Sequence, residues 1–97
     1  MKPLILSSLA EQELAEAASF YDSQVSGLGK DFVSSVEVAI EGIKRHPSAW
    51  PIVRPAIRRK RLARFPYALV YREYPDMIVV LAVMHLHRRP DYWADRL

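Results

Sequence analysis

The sequence contains no cysteine. That excludes disulfides, thiolate chemistry and Cys-based metal sites, and it fits a reducing compartment. Glycine is scarce, with three residues. Two of them, Gly27 and Gly29, form a Gly-x-Gly that follows no strand pattern, so it is not a phosphate-cradling loop. Histidine is equally scarce: His46 stands alone, and no carboxylate joins His85 and His87 at ligand spacing. No metal and no cofactor is therefore expected. The longest unbroken apolar run, Met77 to Met84, is too short to span a bilayer. The opening MKPLILSSLA has an apolar core of only Leu4-Ile5-Leu6 and runs directly into Glu11 and Glu13. A short strand followed by a capped helix explains it better than a leader does. These absences describe a cytoplasmic chain with no membrane partner. At 97 residues, the expected organisation is one domain over residues 1–97.

Charge is present but unevenly spread. Residues 1–53 carry four Lys/Arg against seven Asp/Glu, whereas residues 54–97 carry ten against four. The basic second half is suited to an anionic partner.

The hydrophobic pattern gives the elements. Lys2 to Leu6 reads as a short strand. Ser8 with Glu11 reads as a Ser-x-x-Glu capping box opening a helix. Ala10, Leu14, Ala17, Tyr21 and Val25 form its apolar stripe, and its carboxylates read as a solvated face. Ser26-Gly27 ends this helix, and Leu28-Gly29 links it to a second one. Phe32, Val36, Ala39, Ile40 and Ile43 are the stripe of that second helix, and Pro47 stops it. The short link makes the two an antiparallel hairpin. Pro47, Trp50, Pro51 and Pro55 mark a stiff connector, in which Trp50 reads as a cover for the core. Ile57 to Leu62 reads as an exposed edge strand, because Arg58, Arg59, Lys60 and Arg61 put charge on both faces. Tyr67 to Glu73 and Met77 to Met84 form a hairpin around Tyr74-Pro75-Asp76. A strand apolar on both faces is covered on both faces, so Met77 to Met84 is placed inside the sheet, between the preceding strand and the first. Pro90 can open a short helical turn carrying Tyr92, Trp93 and Arg96. The fold class is α+β, in the order β-α-α-β-β-β: a helical hairpin on one face of a small, mostly antiparallel sheet, with a short C-terminal tail.

Three groups of residues are candidates for function. The run Arg58, Arg59, Lys60 and Arg61, with Arg64, is either a binding surface for phosphates or an acidic protein, or a guard against edge-to-edge aggregation. His85 and His87 share a strand face and are either acid–base groups or ordinary strand residues. Arg88 and Arg89 are candidates to bind a phosphate or the target, and Tyr92 and Trp93 either stack on bases or anchor a partner, or fold back as a lid over the uncovered sheet face.

Taken together, Gly27-Leu28-Gly29-x-x-Phe32, Pro47-x-x-Trp50-Pro51, Arg64-Phe65-Pro66-Tyr67-x-Leu69-x-Tyr71-Arg72 and Val80-Leu81-Ala82-Val83-x-His85-x-x-Arg88-Arg89-Pro90-x-Tyr92-Trp93 resemble the RelE/ParE superfamily of bacterial toxins. The resemblance covers nearly the whole chain. It implies the toxin half of a type II toxin–antitoxin module, often called a plasmid stabilisation protein. The implied antitoxin is a small protein with a ribbon-helix-helix or similar DNA-binding domain and an extended C-terminal segment. RelE-like members cut ribosome-bound mRNA without metal. Arg59 and Arg61 match their second-strand cations, and Tyr92 matches their tail tyrosine. Their third strand carries Tyr-Arg-Leu-Val-Tyr, whereas here it is Tyr67-Ala68-Leu69-Val70-Tyr71. A second arginine of theirs falls at about Leu86. ParE-like members share the fold and poison DNA gyrase. The first expectation is thus a ParE-like gyrase poison that binds rather than cuts, with Arg58, Arg59, Lys60, Arg61, Arg64, Arg88, Arg89, Tyr92 and Trp93 contacting target or antitoxin. The alternative is a metal-independent endoribonuclease using Arg59, Arg61, His85 or His87, Arg88 and Tyr92 on the ribosome. A third is a chain that keeps its antitoxin but has lost its target.

Overall fold

The apolar run of the sequence becomes an inner strand, displaced by one residue. The computed structural model describes residues 1–97. They form β1 (Leu4–Leu6), α1 (Ser8–Gln24), α2 (Leu28–Arg45), β2 (Ile52–Arg54), β3 (Ile57–Arg61), β4 (Tyr67–Glu73), β5 (Ile78–His85) and a closing 3-10 turn, Ala94–Arg96. The sheet order is β1-β5-β4-β3-β2. β1 runs parallel to β5, and every other pair is antiparallel. The expected α+β class, the helical hairpin and the β1–β5 pairing are all observed.

Three expectations need correction. The cap of α1 is Ser7, not Ser8: the Ser7 Oγ accepts the Ala10 N–H at 3.1 Å. Leu28 and Gly29 are not a link but the first residues of α2. Most consequentially, Ile57–Arg61 is not the sheet edge. β2 lies outside it, with Ile52 opposite Arg58 and Arg54 opposite Ile57. This strand was hidden because three residues between Pro51 and Pro55 carry no readable alternation, and proline is tolerated on an edge. The turn into β3 places Pro55 before Ala56, whose φ of 65° is left-handed. This is a type II arrangement filled by a residue other than the preferred glycine.

The hairpin is held at its tip by Asp22. Its Oδ1 accepts the N–H groups of Gly27 at 2.9 Å and Gly29 at 3.2 Å. Gly29 permits close helix contact, since a Cβ there would lie 2.4 Å from the Ala18 carbonyl oxygen. The stripes Ala10, Ala17 and Phe32, Val36, Ala39, Ile43 then pack on Leu69, Tyr71, Ile78, Val80 and Val83 of the sheet. Burying each of the larger side chains contributes roughly 1.5–3 kcal/mol. Tyr71 is fully buried and spends its hydroxyl on the Pro47 carbonyl at 2.6 Å, tying the proline connector to the sheet. That burial pushes its phenol up to about 12.

The opposite sheet face has its own, smaller core. Ile57, Ala68, Val70, Leu81, Ala82 and Met84 are buried there beneath Trp93. The tail is therefore a lid, and Trp93, which is 2 % exposed, is not available on the surface.

Candidate functional site

The basic run is divided by strand alternation. Arg59 lies opposite Val70, and Val70 opposite Ala82, so Arg59 projects from the tail-covered face. Arg58 and Lys60 lie on the helix side and are engaged. Arg58 donates to the Trp50 carbonyl at 2.8 Å, and the Lys60 ammonium sits 3.6 Å from the Trp50 ring centroid. Trp50 is a half-buried core cover, as its setting among prolines suggested, and its indole donates to the Gly42 carbonyl at 3.3 Å. Beyond β2, the outer edge of β3 is open around Arg61. This open end forms a groove of about 370 Å³ with α2, lined by Ser34, Val38, Ala39, Lys60, Arg61 and Arg64. Val38 is 70 % exposed in it. Arg64 approaches Asp31 only at 3.9 Å, and both are exposed. Such a pair contributes little, so the guanidinium remains available.

A second cleft, of about 320 Å³, opens between α1 and the end of β5. It collects Glu13, Phe20, Tyr67, His85, Arg88 and Tyr92. His85 is half-buried and stacks edge-on against Tyr67 at 4.9 Å. Its Nδ1 accepts the His87 N–H at 3.0 Å. His87 is exposed. Arg88 lies 4.0 Å from the Tyr92 ring centroid, and Arg89 pairs with Asp91 at 3.3 Å.

Glu13 organises this region and is the residue that sequence reasoning missed, since the carboxylates of α1 read as a solvated face. Its carboxylate is half-buried and accepts four hydrogen bonds. The donors are Val83 N at 3.0 Å, the Tyr92 hydroxyl at 2.6 Å, and Arg96 Nη1 and Nη2 at 2.9 Å each. Arg96 Nη1 also reaches the Leu81 carbonyl at 3.0 Å. The physical reason lies in β5. β1 ends at Leu6, so Val83 has no strand partner on that side. An irregularity opposite Val70 and Tyr71 leaves Leu81 out of the β4 register. Glu13 gives the Val83 N–H an acceptor, and Arg96 gives the Leu81 carbonyl a second donor beside the Ser7 hydroxyl at 3.3 Å. Burial pushes the Glu13 carboxyl up, but the hydrogen bonds from Arg96, Tyr92 and Val83 and the charge of Arg96 outweigh it and hold the group below its ordinary value. Burial, with Glu13 as acceptor, drives the Tyr92 phenol well above its ordinary range. The only readable signal in the sequence was that Glu13 lies one position before Leu14 of the stripe, on its shoulder.

The proposed nuclease set is thus not brought together. His85, Arg88 and Tyr92 share the α1 cleft, whereas Arg59 and, two residues on, Arg61 project from the other sheet face, with Arg61 also at the rim of the α2 groove. Ala68 is fully buried, and Leu86 packs against the smaller core.

A family model described as "ParE toxin of type II toxin-antitoxin system, parDE" matches residues 4–90. The fold resembles a solved structure titled "Chromosomal ParDE TA system from P. aeruginosa", with a TM-score of 0.67 and 18 % identity, over 90 % of this chain and 98 % of that one. No curated protein sequence matches the chain.

Proposed function

The chain belongs to the ParE toxin family of type II toxin–antitoxin systems, and from that membership we propose that it arrests growth by binding and poisoning DNA gyrase, without cutting RNA. It is the toxin of such a module and has a cognate antitoxin. The observation that carries the gyrase reading over the nuclease one is the separation of the candidate catalytic groups. Cleavage at a ribose 2′-OH needs a proton acceptor, charge stabilisation and a proton donor around one phosphodiester. Here Arg59 and His85 lie on opposite faces of the sheet. The Tyr92 hydroxyl donates a hydrogen bond to the Glu13 carboxylate at 2.6 Å and is held in that role. Where RelE-like nucleases carry arginines, Ala68 is fully buried and Leu86 packs, partly buried, against the smaller core. Losing one electrostatic donor costs about a hundredfold or more in rate.

The antitoxin contact that the geometry favours is the α2 groove. An extended acidic segment can add to the open end of β3, place an apolar side chain against Val38 and pair its carboxylates with Arg61 and Arg64. Its affinity should fall with salt as those pairs are screened.

The experiment places both substrates side by side, using toxin freed of antitoxin. The expected result is inhibited gyrase supercoiling and intact ribosome-bound mRNA. Codon-phased cleavage that disappears in His85→Ala or His87→Ala, with supercoiling untouched, would establish the nuclease instead.

A further inference from the structure

Strand alternation collects four arginines on the tail-covered face of the sheet. Arg54 lies opposite Ile57, Arg59 opposite Val70, and Arg61 opposite Ala68. Arg72 lies between Ile57 and Val79. All of these neighbours belong to the smaller core or pack against it. No other charged side chain of the sheet projects from this face, since Arg58, Lys60 and Glu73 point to the helix side. None of the four guanidinium groups donates a hydrogen bond or joins an ion pair. Arg72 lies 4.9 Å from the Tyr74 ring centroid, a contact that leaves its N–H groups free. Guarding a sheet edge does not account for Arg59 and Arg72, because β2 covers β3 and β4 is an inner strand. Arg59 and Arg61 are about 7 Å apart along β3, and Arg54 and Arg72 flank Arg59 diagonally at a similar distance. One DNA strand rises about 3.4 Å per nucleotide, so these forks can bind separate phosphates.

We infer that this face binds the phosphate backbone of duplex DNA through Arg54, Arg59, Arg61 and Arg72. Backbone contacts need cations and no base recognition. A single strand would need an exposed ring for stacking, and the rings here are occupied: Trp93 is 2 % exposed, and Tyr74 carries Arg72. The charge of the whole chain agrees. The helical hairpin lies in the acidic half of the sequence and covers the other sheet face, so a polyanion is steered to the arginine side. The choice of a DNA duplex rests on the gyrase reading, since gyrase holds one, and it deepens that reading: the toxin contacts the DNA as well as the enzyme.

The test titrates the full chain, freed of antitoxin, into a fluorescein-labelled DNA duplex and follows anisotropy from about 50 to 200 mM salt. Log affinity should fall linearly with log salt at a slope of about −3.6, roughly −0.9 for each of four phosphate contacts. Arg54→Gln and Arg61→Gln, both at exposed positions, should each take about 0.9 from that slope and keep the wild-type melting midpoint. The variant with all four arginines replaced by Gln should lose salt-dependent binding. Arg45→Gln makes the same charge change at an exposed position of α2 and should leave the slope as it was. Three results would each overturn the inference. They are an equal loss of slope in Arg45→Gln, tighter binding of an oligothymidylate or of an RNA duplex, and displacement of the DNA by polyglutamate as readily as by unlabelled duplex. No gyrase is present in this assay. A toxin that inhibits supercoiling without binding the duplex overturns the inference and leaves the gyrase reading standing, whereas one that binds the duplex and spares gyrase does the reverse.

Discussion

The two faces of the sheet are closed in different ways. One lies under two long helices that interlock through Gly29 and seal a core of thirteen buried residues. The other lies under ten residues of tail, with seven buried residues beneath or within it. The helix face is held by apolar area over many residues. The tail face is held by one aromatic ring, Trp93, and one polar hub, Glu13. Apolar area is distributed and tolerant, whereas a hub that satisfies four donors through one carboxylate is concentrated. The helix face should therefore carry global stability, and the tail face should open locally first.

The sharpest break of this contrast uses two neighbouring residues of β5. Val80 is fully buried on the helix face, and Leu81 is buried on the other. Val80→Asp should cost roughly 5 kcal/mol or more and abolish cooperative unfolding in urea, because the charge has no partner. Leu81→Asp should cost less, since the tail can lift away. Equal losses would mean that the two faces form one cooperative unit. Next comes Gly29→Ala. With a carbonyl oxygen 2.4 Å from the new Cβ, the hairpin must part, at about 2–3 kcal/mol measured by denaturation.

Glu13→Ala should cost about 2 kcal/mol, with a distinctive location. Amide exchange should accelerate in residues 88–97 and at Val83, and Trp93 emission should shift to the red, while α2 amides stay protected. The same latch predicts a pH dependence. The folded carboxyl titrates below its ordinary value of 4.5, so its stabilisation is complete above that value and is lost as pH falls through the depressed one. Tail opening should therefore begin below about pH 4.5, and Glu13→Gln should remove that acid step.

The smallest effect should have the opposite sign. Ala56 holds a left-handed φ between β2 and β3, so Ala56→Gly should stabilise the protein by up to about 1 kcal/mol, read as a higher melting midpoint. A fall in the midpoint would show that the turn is not strained.

The sequence by itself determined whatever depends on period and local chemistry. Helical spacing at Phe32, Val36, Ala39 and Ile43 placed the second helix, and the unbroken Met77 to Met84 run required an inner strand, because periodicity records which face is buried. It also carried the family, since the motifs around Gly27, Trp50, Arg64 and His85 keep their order along the chain. Boundaries were blurred where neighbours compete, as at Ser7 and Ser8. A three-residue strand between prolines left no periodic trace at all. Only the tertiary structure decided which charges work together. Glu13 and Arg96 are 83 positions apart and meet across β5 at 2.9 Å, while Arg58 and Arg59 are adjacent and face opposite sides of the sheet. Pairing of that kind depends on where a strand ends and where its register slips. These are properties of the assembled sheet, and no residue's own pattern contains them.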